Sequence, residues 1–309
     1  MSLAFPLSRR RLLALALVIA AACASALVRY LHWDDRALLW FKERNLPVAE
    51  RATSIWLPGY RASIEGKPLA GLEHDEASDL AYSPLTGTLF AVTGKLPVLV
   101  ELSRSGEVLR RIALKGFANP EGLAVLENGM IALADERKHS LSLFELNPDT
   151  RELNILDAEP FDLGFADAGN KGFEGVAWDP ARQRLLLGKE REPTALFSLG
   201  SDGRQLLEQE LRPLPSYGLG MRNLSALSVD PRTGHILALS AQSHLLLELD
   251  EHGEPVSFIS LLGGQSGLQS RIPRAEGVAM DEQGTLYMVS EPNLFYVFRK
   301  DEPFSVPPG

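Results

Sequence analysis

The sequence is poorest in the residues that cross-link a chain or ligate soft metals. It has one cysteine, Cys23, in 309 residues. That excludes an intramolecular disulfide and any cysteine-cluster zinc site. Its six histidines (His32, His74, His139, His235, His244, His252) show no metal-ligand spacing. His235 and His252 fall in turn signals and read as solvated side chains. Positive charge is also short: 31 Lys and Arg stand against 40 Asp and Glu, a net charge of −9. A nucleic-acid partner is thereby excluded, because phosphate neutralisation needs a basic face. There is no Walker A loop and no dinucleotide fingerprint. Gly264-Gln265-Ser266-Gly267 lacks the pattern of a nucleophile elbow and reads as a loop. Aromatic residues make up only 7%. Trp178, Phe173, Phe295 and Tyr296 read as packing between structural units rather than as a ligand cage. What remains is 45% hydrophobic and 23% charged, the composition of an ordinary globular protein with a sizeable core.

Long apolar runs are absent with one exception. Residues 12–28 form 17 uncharged residues behind Arg9, Arg10 and Arg11. As a helix they extend about 26 Å, the short limit for crossing a hydrocarbon core of ~30 Å. The arginine triplet sets the N-terminus cytoplasmic and the rest outward. An uncleaved signal-anchor in the inner membrane fits this pattern. So does a signal peptide cleaved at Ala24-Ser25-Ala26, or a lipoprotein signal at Cys23. Each route places the following residues in the periplasm, and the cleaved one leaves a secreted form. Residues 1–30 are thus a targeting segment and 31–53 a linker. In the linker Leu31, Leu38, Leu39 and Phe41 recur at near-helical spacing among charges. It reads as a juxtamembrane helix with Tyr30, Trp33 and Trp40 at the bilayer interface, or as a connector packed on the domain that follows.

Residues 54–309 repeat. Ser78-Asp79-Leu80-Ala81-Tyr82, Glu121-Gly122-Leu123-Ala124-Val125, Glu174-Gly175-Val176-Ala177-Trp178, Ser225-Ala226-Leu227-Ser228-Val229 and Glu276-Gly277-Val278-Ala279-Met280 align, with starts 43, 53, 51 and 51 residues apart. Each is followed by a turn, three by one ending in glycine (Gly87, Gly234 and Gly284), and then by three further short apolar runs. Four strands per such period predicts a β-propeller blade. The fold class is therefore all-β, a five-bladed propeller behind an N-terminal helix. A degenerate sixth blade within 137–173 or 191–224 is the alternative. The last repeat lacks a fourth strand, and Arg61-Ala62-Ser63-Ile64-Glu65-Gly66-Lys67 matches the missing pattern. Closure through that segment would remove the exposed edges of an open array.

The phrases Asp135-Glu136-Arg137, Gly172-Phe173-Glu174-Gly175-Val176-Ala177, Ala275-Glu276-Gly277-Val278-Ala279-Met280-Asp281 and Ser290-Glu291-Pro292-Asn293-Leu294-Phe295-Tyr296 resemble the SdiA-regulated family. These are bacterial envelope proteins with a membrane segment and a propeller distantly like NHL repeats. The resemblance covers about residues 60–300. It implies five blades and a calcium site among the repeated residues, but no known reaction.

The repeats carry acids in register. Glu121, Glu174 and Glu276 each begin a first strand, and Glu136, Glu190 and Glu291 follow the second strand 15 or 16 residues later. A hairpin sets the two positions side by side, so three blades aim six carboxylates at one mouth of the channel. Ser78 with Thr93, and Ser225 with Ser240, fill the same places in the other two blades, with Asp79 and Asn223 adjacent. Crowded carboxylates must take protons or find a cation. Oxygen-only donors suit Ca²⁺. Ion pairs to Arg137, Arg191, Lys189 and Arg222 are the other solution. The same arginines are candidate contacts for an anionic substrate. Two functions follow as expectations. One is a membrane-tethered, calcium-binding module for a protein or anionic ligand. The other is a Ca-dependent hydrolase of the phosphoesterase or lactonase type.

Overall fold

The computed structural model describes residues 8–30, 33–164, 172–215 and 219–300. The repeats fold into five antiparallel sheets, and the additional sixth blade is not formed among these residues. Blade 1 comprises Ala77–Ser83, Thr88–Thr93, Val98–Leu102 and Val108–Lys115. Blade 2 comprises Pro120–Val125, Met130–Asp135, Ser140–Glu145 and Phe161–Asp162. Blade 3 comprises Phe173–Asp179, Arg184–Lys189, Ala195–Gly200 and Arg212–Leu214. Blade 4 comprises Ala226–Val229, Ile236–Ser240, Leu245–Leu249 and Pro255–Ser260. Blade 5 takes three strands from the end of the chain, Ala275–Met280, Leu286–Ser290 and Leu294–Lys300, and its outer strand, Tyr60–Pro68, from the beginning. Tyr60 faces Lys300 and Pro68 faces Leu294 in that pairing, so the ring is closed by both ends of the chain. The surplus residues of 137–173 go elsewhere: Glu152–Asn154 adds a parallel fifth strand to the rim of blade 1.

Local chemistry sets the hairpins. The first turn of blade 5 is held by Asp281, whose Oδ1 accepts from the N–H groups of Gln283 and Thr285 at 3.0 and 2.7 Å. Asp230 does the same in blade 4, accepting from Arg232 N–H and the Thr233 hydroxyl. Such Asx turns satisfy donors that the two-strand ladder leaves over.

The core is divided rather than central. Five clusters of buried aliphatic and aromatic side chains each lie between adjacent blades. Phe173 packs edge-on to Phe197 in the cluster of blades 2 and 3, and Phe295 and Tyr296 are buried in those of blade 5. Trp178 differs, since it also lines a cavity on the channel axis.

The N-terminal part forms helices α1 (Arg9–Tyr30), α2 (Trp33–Arg44) and α3 (Val48–Thr53). No residue of α1 is buried, and its apolar stretch has a mean hydropathy of 2.3, long and apolar enough to cross a membrane. Leu31 and His32 lie outside the described residues. Helix α2 packs on blade 4: Leu39 is buried in the cluster of blades 3 and 4. Arg36 donates to the carbonyls of Ser243 and His244 at 2.8 and 3.0 Å. Trp33, Trp40 and Phe41 stay exposed on the same helix. The linker then ties in through Glu248, which is fully buried on blade 4 and accepts from Ile55 and Trp56 N–H at 2.7 and 3.0 Å. His235 stands 2.7 Å from the same carboxylate, so it is not the solvated turn residue its position suggests. Burial of Glu248 demands partners, and the Ser257 hydroxyl and the His235 ring supply them from the side-chain side.

Candidate functional site

The inner strands begin with a shared irregularity. In blades 1, 2, 3 and 5 the ladder to the second strand slips by one residue, between Ala77 and Asp79, Pro120 and Gly122, Phe173 and Gly175, and Ala275 and Gly277. The residue skipped is Ser78, Glu121, Glu174 or Glu276. A bulge leaves its extra residue unpaired and re-aims the side chain. Here it turns the three glutamates towards one another at the channel mouth. The next residue must then tolerate close inter-blade contact. A Cβ on Gly277 would stand 2.7 Å from Leu80 N of blade 1, and one on Gly175 would stand 2.8 Å from Leu227 N of blade 4. Glutamate followed by glycine is thus one device: the acid lines the mouth and the glycine lets the blades close beneath it.

The acids interact across blades. Glu174 feels the charges of Glu190, Glu276, Glu121 and Glu136, and burial together with this repulsion lifts its carboxyl well above the ordinary range. Burial and the neighbouring Glu136 and Glu276 raise Glu121 to about 7, against hydrogen bonds from Ser78 and Asn119. Glu276 is also raised to about 7, mainly by burial, although Arg274 and Ser225 oppose this. Burial likewise raises Glu291.

The outer acids are better compensated. Arg191 Nε donates to Glu190 Oε2 at 2.7 Å. Arg274 bridges Glu276 and Glu291, 2.9 Å from each. Glu136 accepts from Asn119 Nδ2 at 3.0 Å and from Gly172 N–H at 3.2 Å. Among the described residues, no ion pair reaches Glu121 or Glu174. The ring thus contains two inner carboxylates without a direct cation. Its donor set is all oxygen, which suits a hard cation. Among the described residues no group of three or more His, Cys, Asp or Glu side chains stands close enough together to hold a metal ion.

The other candidates separate clearly. Arg137 is exposed and lines a side pocket of about 260 Å³ with Lys95, Asn119, Ser78 and the acids Glu76, Glu121 and Glu291, and Lys95 stands 3.7 Å from Glu76. Arg191 is occupied by Glu190. Arg222 is turned to the N-terminal helices, donating to Arg29 O at 2.7 Å and Asp34 at 3.1 Å. Lys189 Nζ is bound to the carbonyls of Arg191 and Glu192. Thr93, Ser240 and Asn223 serve the loops: Asn223 Oδ1 accepts from the Ser240 hydroxyl and Gln242 N–H, both at 2.9 Å. Asp79 is not part of the mouth. It is fully buried and accepts from Leu80 and Leu123 N–H at 2.7 and 2.8 Å, stitching blade 1 to blade 2. Burial holds its carboxyl well above the ordinary range.

Asn119 and Arg274 were not legible as partners of the ring. Their signal lies two residues before the start of each repeat, where the chain carries Glu76, Asn119, Gly172, Asn223 and Arg274. In blades 2, 4 and 5 that side chain reaches the end of the second strand, at Glu136, Ser240 and Glu291.

The family described as SdiA-regulated matches residues 52–299. The chain belongs to the SdiA-regulated family. The matched span covers all five blades and the closing strand, and leaves out α1 and α2. Among solved structures, a chain of one described as "Crystal structure of Nidogen/Laminin Complex" is similar at 17% identity, over 69% of this chain and 72% of that one, with a TM-score of 0.47.

Proposed function

We propose that this SdiA-regulated protein is a membrane-tethered periplasmic binding module whose glutamate ring takes up Ca²⁺ together with an anionic ligand. The observation that carries this reading is the uncompensated pair Glu121 and Glu174, both with raised carboxyls, beside a pocket that also holds Arg137 and Lys95. Crowded carboxylates exchange protons for a cation when one is offered. Glu121, Glu174 and Glu276 would hold the ion, with oxygens from Ser78 and Asn119 close by. The bound ion would attract an anion, and Arg137 and Lys95 would orient it. Helix α1 supports the tether, and the arginines that precede its apolar stretch support an outward propeller.

The test is calorimetric titration of Ca²⁺ into chelator-treated full-length protein in nanodiscs at pH 7, with Mg²⁺ for comparison. Two buffers of different ionisation enthalpy would be used. Saturable binding with proton release, lost in Glu121→Gln/Glu174→Gln, is expected. No saturable heat, or binding that this variant keeps, would remove the ion from the proposal. A second reading rests on Glu121 alone. A carboxyl held near 7 in a pocket with Arg137, which has no ion pair among the described residues, is suited to general-base work, as a Ca-dependent hydrolase would need. Turnover of phosphoester or lactone substrates that disappears in Glu121→Gln, with the fold intact, would favour it.

A further inference from the structure

The channel has a second mouth, opposite the glutamate ring and independent of it. Asp79 and its hydrogen bonds to Leu80 and Leu123 lie between the two ends. Beyond them the inner strands present larger side chains, and a cavity of about 470 Å³ opens among Leu80, Leu123, Val176, Leu227 and Met280. Every blade contributes apolar side chains to its walls, with Ser228 and Asn128 among the polar exceptions. A volume of this size matches a small organic ligand.

The rim has a different character. Tyr82 and Trp178 stand at its edge with Glu127 and Glu282. Glu127 is exposed and has no ion pair among the described residues. Glu282 lies 3.8 Å from Arg104, but Arg104 is shared with the buried Asp281 at 3.6 Å. The turn acids behind the rim carry their own arginines: Asp230 is held by Arg232 at 2.9 Å, and Asp179 by Arg182 and Arg184 at 3.3 and 3.0 Å. Glu127 and Glu282, the two carboxylates that line the cavity, therefore leave the rim a negative excess. Tyr82 already receives a cation, since the Arg104 guanidinium sits 5.3 Å from its ring centroid.

From this juxtaposition we infer that the second mouth binds an amphiphilic organic monocation, with its apolar body in the channel and its ammonium group at the rim. The apolar walls exclude a small hydrophilic cation, which would lose its hydration without replacement. The acidic rim disfavours an amphiphilic anion. An ammonium between aromatic faces and carboxylates gains from both.

The experiment uses full-length protein in nanodiscs, labelled with 5-fluorotryptophan. The chain has four tryptophans, and Trp178→Phe identifies the resonance of the cavity. Hexyltrimethylammonium is the probe, with hexanesulfonate and hexanol as the anionic and neutral comparisons. The Trp178 signal should shift saturably with the cation, and at least tenfold higher concentrations of the sulfonate should be needed. Glu127→Gln/Glu282→Gln should weaken the cation roughly tenfold and leave hexanol unchanged. Equal response to all three probes would reduce the site to an apolar cavity and overturn the inference. So would shifts confined to Trp33 and Trp40, which report partition at the bilayer, or a cation affinity that the double variant keeps.

Discussion

Glutamine at position 121 isolates the electrostatic cost of the ring. Glu121 has no ion pair among the described residues, and its carboxyl is raised from an ordinary 4.5 to about 7. The folded state therefore binds more protons than the unfolded state between those values. Stability falls as pH rises through this window and is lowest above pH 7. One group shifted this far costs about 2.5 kcal/mol more at pH 8 than at pH 5. Solvent at the mouth screens part of that, so about 1 kcal/mol is the smallest change the reasoning tolerates. Glu121→Gln removes the charge but keeps the size and can still bond with Ser78. In chelator, the variant should match the parent at pH 5 and exceed it by roughly 1–2.5 kcal/mol at pH 8. That is a rise of several degrees in melting temperature for a domain of this size. Saturating Ca²⁺ at pH 8 should reverse the order, because only the parent has the full ligand set. Melting curves of the full chain at both pH values, with and without Ca²⁺, read all four states. A parent that becomes more stable from pH 5 to pH 8 in chelator, or a variant effect independent of pH, would refute the argument.

Other positions test the scaffold. Gly277→Ala should destabilise the propeller by roughly 1–3 kcal/mol in urea unfolding, because its Cβ meets the backbone of blade 1 at 2.7 Å. Asp79→Ala leaves the N–H groups of Leu80 and Leu123 buried without an acceptor and should cost roughly 2–5 kcal/mol by the same measurement, far more than any exposed acid. Arg36→Ala/Arg222→Ala should release helix α2 from blade 4, read as faster amide exchange in Trp33–Arg44 with the blades unchanged. Glu248→Ala should raise exchange at Ile55 and Trp56 and lower the global stability by roughly 2–4 kcal/mol, since their two N–H groups lose their acceptor.

The blade pattern was legible because each feature has a local cause. Inner strands are buried on both sides and read as apolar runs, turns need glycine or an Asx residue, and the last blade visibly lacks a strand that Arg61–Lys67 can supply. The long stretch around 137–173 misled in the direction of a sixth blade. Its strand Glu152–Asn154 crosses to the neighbouring sheet, and no local pattern records which edge a short strand will join. The carboxylate ring was legible through register, since Glu121, Glu174 and Glu276 recur at one place in the repeat. The bulge that aims them was not, because a one-residue slip leaves the apolar pattern of the next residues intact.

Compensation of charge was the least legible feature, and both proposals rest on it. Sequence position alone offers Arg137, Arg191 and Arg222 equally to the ring. The fold assigns Arg191 to Glu190 and turns Arg222 to Arg29 and Asp34, leaving Arg137 beside Glu121. It brings in Arg274 for Glu276 and Glu291, leaving Glu121 and Glu174 as the unbalanced acids. At the far mouth one guanidinium, Arg104, is divided between Asp281 and Glu282. The two ends of one channel thus carry the same sign of charge with opposite surroundings. Oxygens crowd the ring, and apolar walls back the rim. A bare divalent cation gains ligands at the first end and would lose its hydration at the second. An amphiphilic cation gains burial at the second and has no apolar wall at the first. If both proposals hold, the same sign of charge selects different cations at the two mouths, and a ligand that binds both with one affinity would contradict them.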